Sequence, residues 1–382
     1  MFKATRHMAI YTILKRRTLI HFAEDYTLGK LLKFSGIPAG SVNTHYLLET
    51  SKGKFFLKID EIKNHQEARR EIDLLLYLRA RKFACPQPIP NKQGKYLLEH
   101  EGKVVSVYPY IAGKIFPEKT LSLSQLEKIG QALASLHLFG QTYKKGLENR
   151  FRFERIAELY QEVRAQLPSY FRQHIHILDD ELEHQRQYAE ERLPKGVIHG
   201  DFFADNILFR GGKVVAVLDF EAAGHGKFIY DLATAVNALC YIDDNYLIER
   251  FNALLEGYQN VRTLSLGEWD AFPNELRFSA LRFTVTRLKD FFLRPMEGRF
   301  RINKDFRDFL DRLQVLRRER PGGMDRLLMA MATGYDYRQY QKVREQSKTT
   351  RDHAPGQKKE RGRTWAHPSN LASATRHLQT AH

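Results

Sequence analysis

Residues 196–231 run GVIHGDFFADNILFRGGKVVAVLDFEAAGHGKFIYD, and their reading decides the fold. Val197–Ile198 is a short apolar run that ends at His199-Gly200-Asp201. Ile207-Leu208-Phe209 and Val214–Leu218 are two further runs, separated by Gly211-Gly212, a strong hairpin signal. The pattern is strand, loop, strand, glycine turn, strand. Closing that hairpin folds Asp219 back beside Asn206, while Asp201 sits on the loop just before Asn206.

Three oxygen-bearing side chains then converge. Asn206 and Asp219 offer hard oxygen ligands suited to Mg²⁺, which takes one or two protein groups and leaves other positions to substrate phosphates. Asp201 stays free to orient a hydroxyl and accept its proton. A base five residues ahead of one metal ligand, with an Asp on a following strand as the other, is the phosphoryl-transfer arrangement of kinases. A polar loop between core strands, with its acids as turn formers, is the plain alternative. His199, Gly200, the hairpin and Asp219 fall in register with the chemical reading.

HGDxxxxN followed by DFE and YDLA resembles the aminoglycoside phosphotransferase and choline kinase superfamily, a branch of the protein-kinase-like fold. The resemblance implies an α+β, two-lobed molecule: a small antiparallel-sheet lobe over residues 1–112 and a mostly helical catalytic and substrate lobe over 113–320. The implied cofactors are ATP and Mg²⁺.

Upstream, Thr18–Tyr26 reads as a short helix. Leu31–Thr50 places two apolar runs around a loop with Gly36, Gly40, Ser41 and Asn43, where backbone N–H groups can approach a phosphate. Lys54–Ile59 alternates as a strand, with Lys58 on the face opposite Phe55, Leu57 and Ile59. Glu71 follows on a helix from about Gln66 to Arg79. In kinase-like folds a strand lysine holds the α/β phosphates and a helix glutamate holds the lysine, which points to Lys58 and Glu71. Tyr96–Leu98 and Val104–Tyr108 complete a sheet of about five strands with one helix. By resemblance, the backbone near Pro109 and Ile111 meets the adenine edge.

Ser124 is placed to cap a helix to about Leu138 that carries His137. His137 and His199 read as structural, and Asp231 as a brace for the catalytic loop or a helix start. Further helices are expected over Glu249–Tyr258, Leu276–Phe292 and about Asp305–Arg318. On the second of these Arg287 can pair with Asp290 one turn on.

The whole chain has 382 residues, a formal charge of +16 and 43% hydrophobic content, ordinary for a globular chain with a large core. No apolar run reaches membrane-span length, and no signal-type apolar stretch follows the basic start. Cys85 and Cys240 match no metal spacing and read as buried thiols, which fits a cytoplasmic location. Residues 321–382 read as a basic, disordered tail; its last part, 341–382, holds nine Lys/Arg against three Asp/Glu. No stacking platform or known module accompanies the charge, so no nucleic-acid partner is expected.

The resemblance narrows to the homoserine kinases of this superfamily, from MAIYT at Met8 to about Arg317. YTLGKLLKFSGIPAGSVNTHYLLET, HGDFFADN, YDLATAVNALC and LRFTVTRLKDFF carry it. A start at Met8 would make the first seven residues an extension. Lys58 and Glu221 stand where such kinases often have a threonine and an aromatic. The implied reaction is ATP-dependent phosphorylation of the L-homoserine hydroxyl. The acceptor is a zwitterion whose carboxylate needs a cation, for which Arg282 or Arg287 are the candidates. Two alternatives stay open. One is another small-molecule kinase of the superfamily, for choline, an amino sugar or an aminoglycoside. The other is a non-catalytic nucleotide- or nucleic-acid-binding protein that uses the basic tail.

Overall fold

A computed structural model describes residues 12–37, 43–189, 192–292 and 304–318. The expectations for Met8, Gly40, Ser41 and the tail beyond 320 therefore lie outside the described residues.

The first lobe begins with helix α1 (Arg16–Asp25) and strands β1 (Leu31–Ile37), β2 (Thr44–Thr50) and β3 (Gly53–Asp60). Helix α2 (His65–Ala80) and strands β4 (Leu98–His100) and β5 (Lys103–Pro109) follow. The five strands form one antiparallel sheet in the order β1-β2-β3-β5-β4. Strand alternation sorts β3: Leu57 and Ile59 join Leu19, Phe22, Val105 and Val107 in a small core under α1, while Lys58 points the other way. Two helices, not one, flank the sheet. On α2, Ile72, Leu75 and Leu78 belong instead to the large core shared with the second lobe. Its start is fixed by a capping box between Asn64 and Glu67.

Strand β4 begins two residues later than the Tyr96–Leu98 pattern suggests. Glu101 and Gly102 both adopt positive φ, 51° and 74°, and pair His100 with Lys103. That tight hairpin puts the strand directly beside the turn.

The second lobe comprises helices α3 (Leu123–Gly140), α4 (Phe153–Arg164) and α5 (Arg172–Arg186), then strands β6 (Lys195–Ile198), β7 (Ile207–Arg210), β8 (Lys213–Val217) and β9 (Gly224–Lys227). Helix α6 (Phe228–Leu239), the short strands β10 (Tyr241–Ile242) and β11 (Asn245–Tyr246), and helices α7 (Ile248–Gln259), α8 (Leu266–Phe292) and α9 (Arg307–Arg317) complete it. Helix α3 is capped by Ser122, not Ser124, because Ser122 and Gln125 form a reciprocal capping box. Helix α8 starts ten residues ahead of Leu276, carrying Pro273 inside it. Its Ser265 hydroxyl accepts from Glu268 N, and the Glu268 carboxylate accepts from Ser265 N, so a capping box sets the true start. Strand β9, unread in the sequence, pairs antiparallel with β6.

Helices α3 and α7 touch backbone to backbone at two glycines. A Cβ on Gly130 would stand 2.0 Å from the Leu254 carbonyl oxygen, and one on Gly257 would stand 1.9 Å from that of Glu127. Backbone cannot yield as a side-chain end does. Gly257→Ala should therefore destabilise the protein by about 3 kcal/mol or more, at the upper end of overpacking costs. A melting temperature unchanged by that substitution would contradict the close packing of the pair.

Candidate active site

The catalytic loop hangs between β6 and β7. Gly200 has φ +74°, and a Cβ there would sit 2.7 Å from the Ala222 carbonyl oxygen, so glycine is needed at that corner. Asp231, in the first turn of α6, accepts from His199 N at 2.7 Å and from Gly200 N at 2.8 Å. Burial alone would raise the Asp231 carboxyl; bonds to His137 and His199 outweigh it and hold the pKa below the usual carboxylate range. His137 bridges the Tyr258 hydroxyl at 2.6 Å and Asp231 at 3.1 Å. The His199 ring meets the Leu218 carbonyl at 2.8 Å. Both histidines are structural, and Asp231 braces the loop.

This frame aims three side chains. Asp201 keeps 27% of its side-chain surface open to the cleft. The Asn206 amide nitrogen donates to the Asp201 carbonyl at 2.9 Å, which leaves the Asn206 side-chain oxygen for a cation. Pairing of Ile207 with Val217, and a bond from Leu218 N to the Asn206 carbonyl at 2.8 Å, bring Asp219 alongside. Asp219 itself adopts a left-handed conformation, φ 59°, that turns its carboxylate out of the strand; Asp tolerates that region better than most residues. The side chain is exposed; the protein surface around it displaces part of its hydration and, with the neighbouring Glu221 carboxylate, pushes its carboxyl up to about 7. Such crowded carboxylates, with the free amide oxygen of Asn206, form a hard-oxygen site with unmet demand for positive charge. The residues fit Mg²⁺.

Lys58 and Glu71 are brought together as the spacing suggests, with 3.1 Å between Nζ and Oε1. Lys58 also meets Glu221 at 2.7 Å and Asp60 at 3.3 Å, and Lys63 pairs with the other side of Glu71. Burial opposes the charge on Lys58, but Glu71, Glu221 and Asp60 outweigh it and hold the pKa well above the usual lysine range. The carboxylates of Asp60, Glu71 and Glu221 lie close enough together to hold a metal ion. The ammonium group of Lys58 already contacts all three, so the cluster is an ion-pair network.

Burial would raise the Glu71 carboxyl, yet Lys58 and Lys63 bring it down from 4.5 to about 2. A depressed acid stabilises the fold above its unfolded pKa and loses that contribution as pH falls through the folded value. Between about pH 4.5 and 2 the stability lead of wild type over Glu71→Gln should shrink. Urea midpoints across that range check it, and a constant gap would contradict the pairing.

Glu221 is the residue the motif reading passed over as a site member. Besides Lys58, it accepts from the Asn43 amide of the first lobe, and Arg150 donates to its backbone carbonyl. Its signal lay in the DFE triplet, one residue beyond the Asp-Phe step. Gly36 is not in the loop: it lies within β1 opposite Tyr46. Pro109 ends β5 opposite Phe55, and Ile111 lies two residues on, where the sheet hands over to the second lobe. Pro109 can offer only its carbonyl, since it has no N–H.

The two candidate arginines part ways. Arg287 donates to the Asp305 carbonyl at 2.6 Å and to Asp308 at 3.0 Å, and stacks on Phe309. That tertiary clamp to α9 replaces the expected pairing with Asp290. Arg282 is buried beside the catalytic loop, its Nη1 4.0 Å from Asp201.

A five-stranded lobe over a helical one, with an Asp, Asn and Asp set on a braced hairpin beside a lysine–glutamate pair, defines a kinase-like phosphotransferase. Residues 33–264 match the model of the phosphotransferase enzyme family. A homoserine kinase of Methylobacillus flagellatus is 34% identical over 301 residues, covering 78% of this chain and 92% of that protein. A homoserine kinase of Nitrobacter winogradskyi is 33% identical, covering 83% and 96%. Among solved structures, an amicoumacin kinase in complex with AMP-PNP and Ca²⁺ superposes with TM-score 0.63 at 16% identity, covering 78% of this chain and 92% of that one. A choline/ethanolamine kinase family protein from Mesorhizobium loti gives 0.55 at 19%, again covering 78% and 92%. The chain belongs to the phosphotransferase enzyme family and, within it, groups with the homoserine kinases.

Proposed function

We propose that the protein transfers the γ-phosphoryl group of ATP to the side-chain hydroxyl of L-homoserine, giving ADP and O-phospho-L-homoserine on the route to threonine. Near-full-length similarity to homoserine kinases carries the choice of acceptor. The convergence of Asp201, Asn206 and Asp219 supports the chemistry.

In this reading Asp201 orients the acceptor hydroxyl and takes its proton as the oxygen attacks the γ-phosphorus and the bond to the β-phosphate oxygen breaks. Asn206 and Asp219 would hold Mg²⁺, which supplies charge neutralisation for the β/γ phosphates. Lys58, positioned by Glu71, would hold the α/β phosphates. Gly40, Ser41 and Asn43 belong to the segment that would cover them, and the backbone at Pro109 and Ile111 would meet the adenine. The partner is a small-molecule substrate. Among the described residues no helix is long and apolar enough to cross a membrane. The buried free thiols Cys85 and Cys240 suit a cytoplasmic location.

The test is ATP consumption with Mg²⁺ across L-homoserine, L-threonine, choline, ethanolamine and kanamycin. Stimulation by L-homoserine is expected. Stimulation by choline or kanamycin without L-homoserine would move the protein to another acceptor class.

A further inference from the structure

The guanidinium of Arg282 is held in an unusual way. It is sandwiched between two rings, with its central carbon 3.6 Å from the Phe151 centroid and 3.7 Å from that of Phe283. The residue is 3% exposed. Stacking fixes the plane of the fork and leaves only its edge for hydrogen bonding. That edge is under-used. Its Nε is buried without a hydrogen-bond partner among the described residues, and Asp201 is reached only at 4.0 Å. The Tyr230 hydroxyl, within electrostatic reach of the same guanidinium, is also buried without a hydrogen bond of good geometry. Other arginines of the lobe are satisfied: buried Arg250 donates to three backbone carbonyls, and half-buried Arg287 to Asp305 and Asp308.

A desolvated cation and a desolvated phenol, both short of acceptors, create a place for an anion. Asp201, 4.0 Å away, keeps 27% of its side-chain surface open, and the acceptor hydroxyl must lie there for its proton to be taken. The surroundings make the site selective. Phe203 packs at 5.0 Å on Phe283, and Phe309 at 4.6 Å on it, so an aromatic wall lies around the fork. Lys304 lies over the Phe203 ring at 5.0 Å and pairs with Asp205 at 3.3 Å.

We infer that Arg282, with Tyr230 beside it, binds the α-carboxylate of the acceptor and so selects amino-acid alcohols over plain amino alcohols. This rests on the acceptor reading given above and adds the residue that enforces it. Geometry favours a carboxylate: a planar fork fixed by two rings presents two parallel N–H groups, which match the two oxygens of a carboxylate. The Asp201 carboxylate nearby would meet the hydroxyl of the same molecule.

The test compares two acceptors with the full-length protein: L-homoserine and 3-aminopropan-1-ol, the same alcohol and amine without the carboxylate. Wild type should prefer L-homoserine by about 100-fold in kcat/KM, the scale of a buried charge-assisted pair. Arg282→Gln should erase most of that preference, through KM for L-homoserine, with ATP affinity kept. Arg282→Lys, which retains the charge but not the fork, should restore about a tenth of the preference. Unchanged ATP binding certifies that a variant is folded. Equal loss of kcat on both acceptors would overturn the inference, placing Arg282 on the phosphoryl group or on Asp201. So would a preference that survives Arg282→Gln. If another carboxylate-bearing alcohol, such as L-threonine, proves the acceptor and its preference depends on Arg282, the inference stands and the homoserine reading falls. If wild type accepts only alcohols lacking a carboxylate, both fall.

Discussion

Asp201→Asn lowers kcat by about 10²–10⁴-fold, the range ascribed to a positioned general base, while ATP binds as before. The amide preserves shape and the neighbouring bond from the Asn206 side chain, which runs to the Asp201 backbone carbonyl at 2.9 Å. It cannot take a proton. ATP affinity should hold because Lys58, Asn206 and Asp219 are untouched. The measurement is steady-state kinetics with L-homoserine alongside nucleotide binding. Turnover near wild type would show that another group removes the proton. A matching loss of nucleotide binding would mean that Asp201 serves the metal instead.

Lys58→Met removes the one cation that contacts Asp60, Glu71 and Glu221 together. Lys63 reaches only the Glu71 side of that group among the ion pairs of the described residues. Breaking a buried ion pair from one side costs about 3–5 kcal/mol, because the charge left behind is uncompensated. The expected result is a large loss of stability and of ATP affinity together. Adding Glu221→Gln should restore part of the stability, since one stranded carboxylate is then neutral, without restoring activity. Chemical denaturation of the single and double variants decides it. Fully additive losses would mean that Lys58 and Glu221 do not share the interaction drawn here.

The same cluster shows why some of the site was legible in the sequence and some was not. Asp201, Asn206 and Asp219 fall on one loop and one hairpin, and Gly211-Gly212 announces the turn that joins them. Lys58 and Glu71 lie on neighbouring elements whose periodicities are readable. Glu221 was overlooked because its role depends on Asn43 and Lys58, more than 150 residues away in the chain. Among the helices, the apolar pattern marks α8 only from Leu276, whereas the helix begins at Leu266 and carries Pro273 inside it. The Ser265–Glu268 capping box was the better guide to its start, since it satisfies the free N-terminal donors that every helix has.

What the sequence determined by itself is the order of chemistry: a base, an amide ligand, a hairpin and an acidic ligand, then a brace for the loop. Each is local, within reach of a turn or a single strand pairing. What only the tertiary structure decided is the company each charge keeps. Arg287 is spent on α9 while Arg282 is stacked between Phe151 and Phe283 beside Asp201, although both sit on α8 with little to tell them apart. Helical spacing states which residues share a face, but burial and partners come from elements far off in the chain, whose arrival no local period encodes.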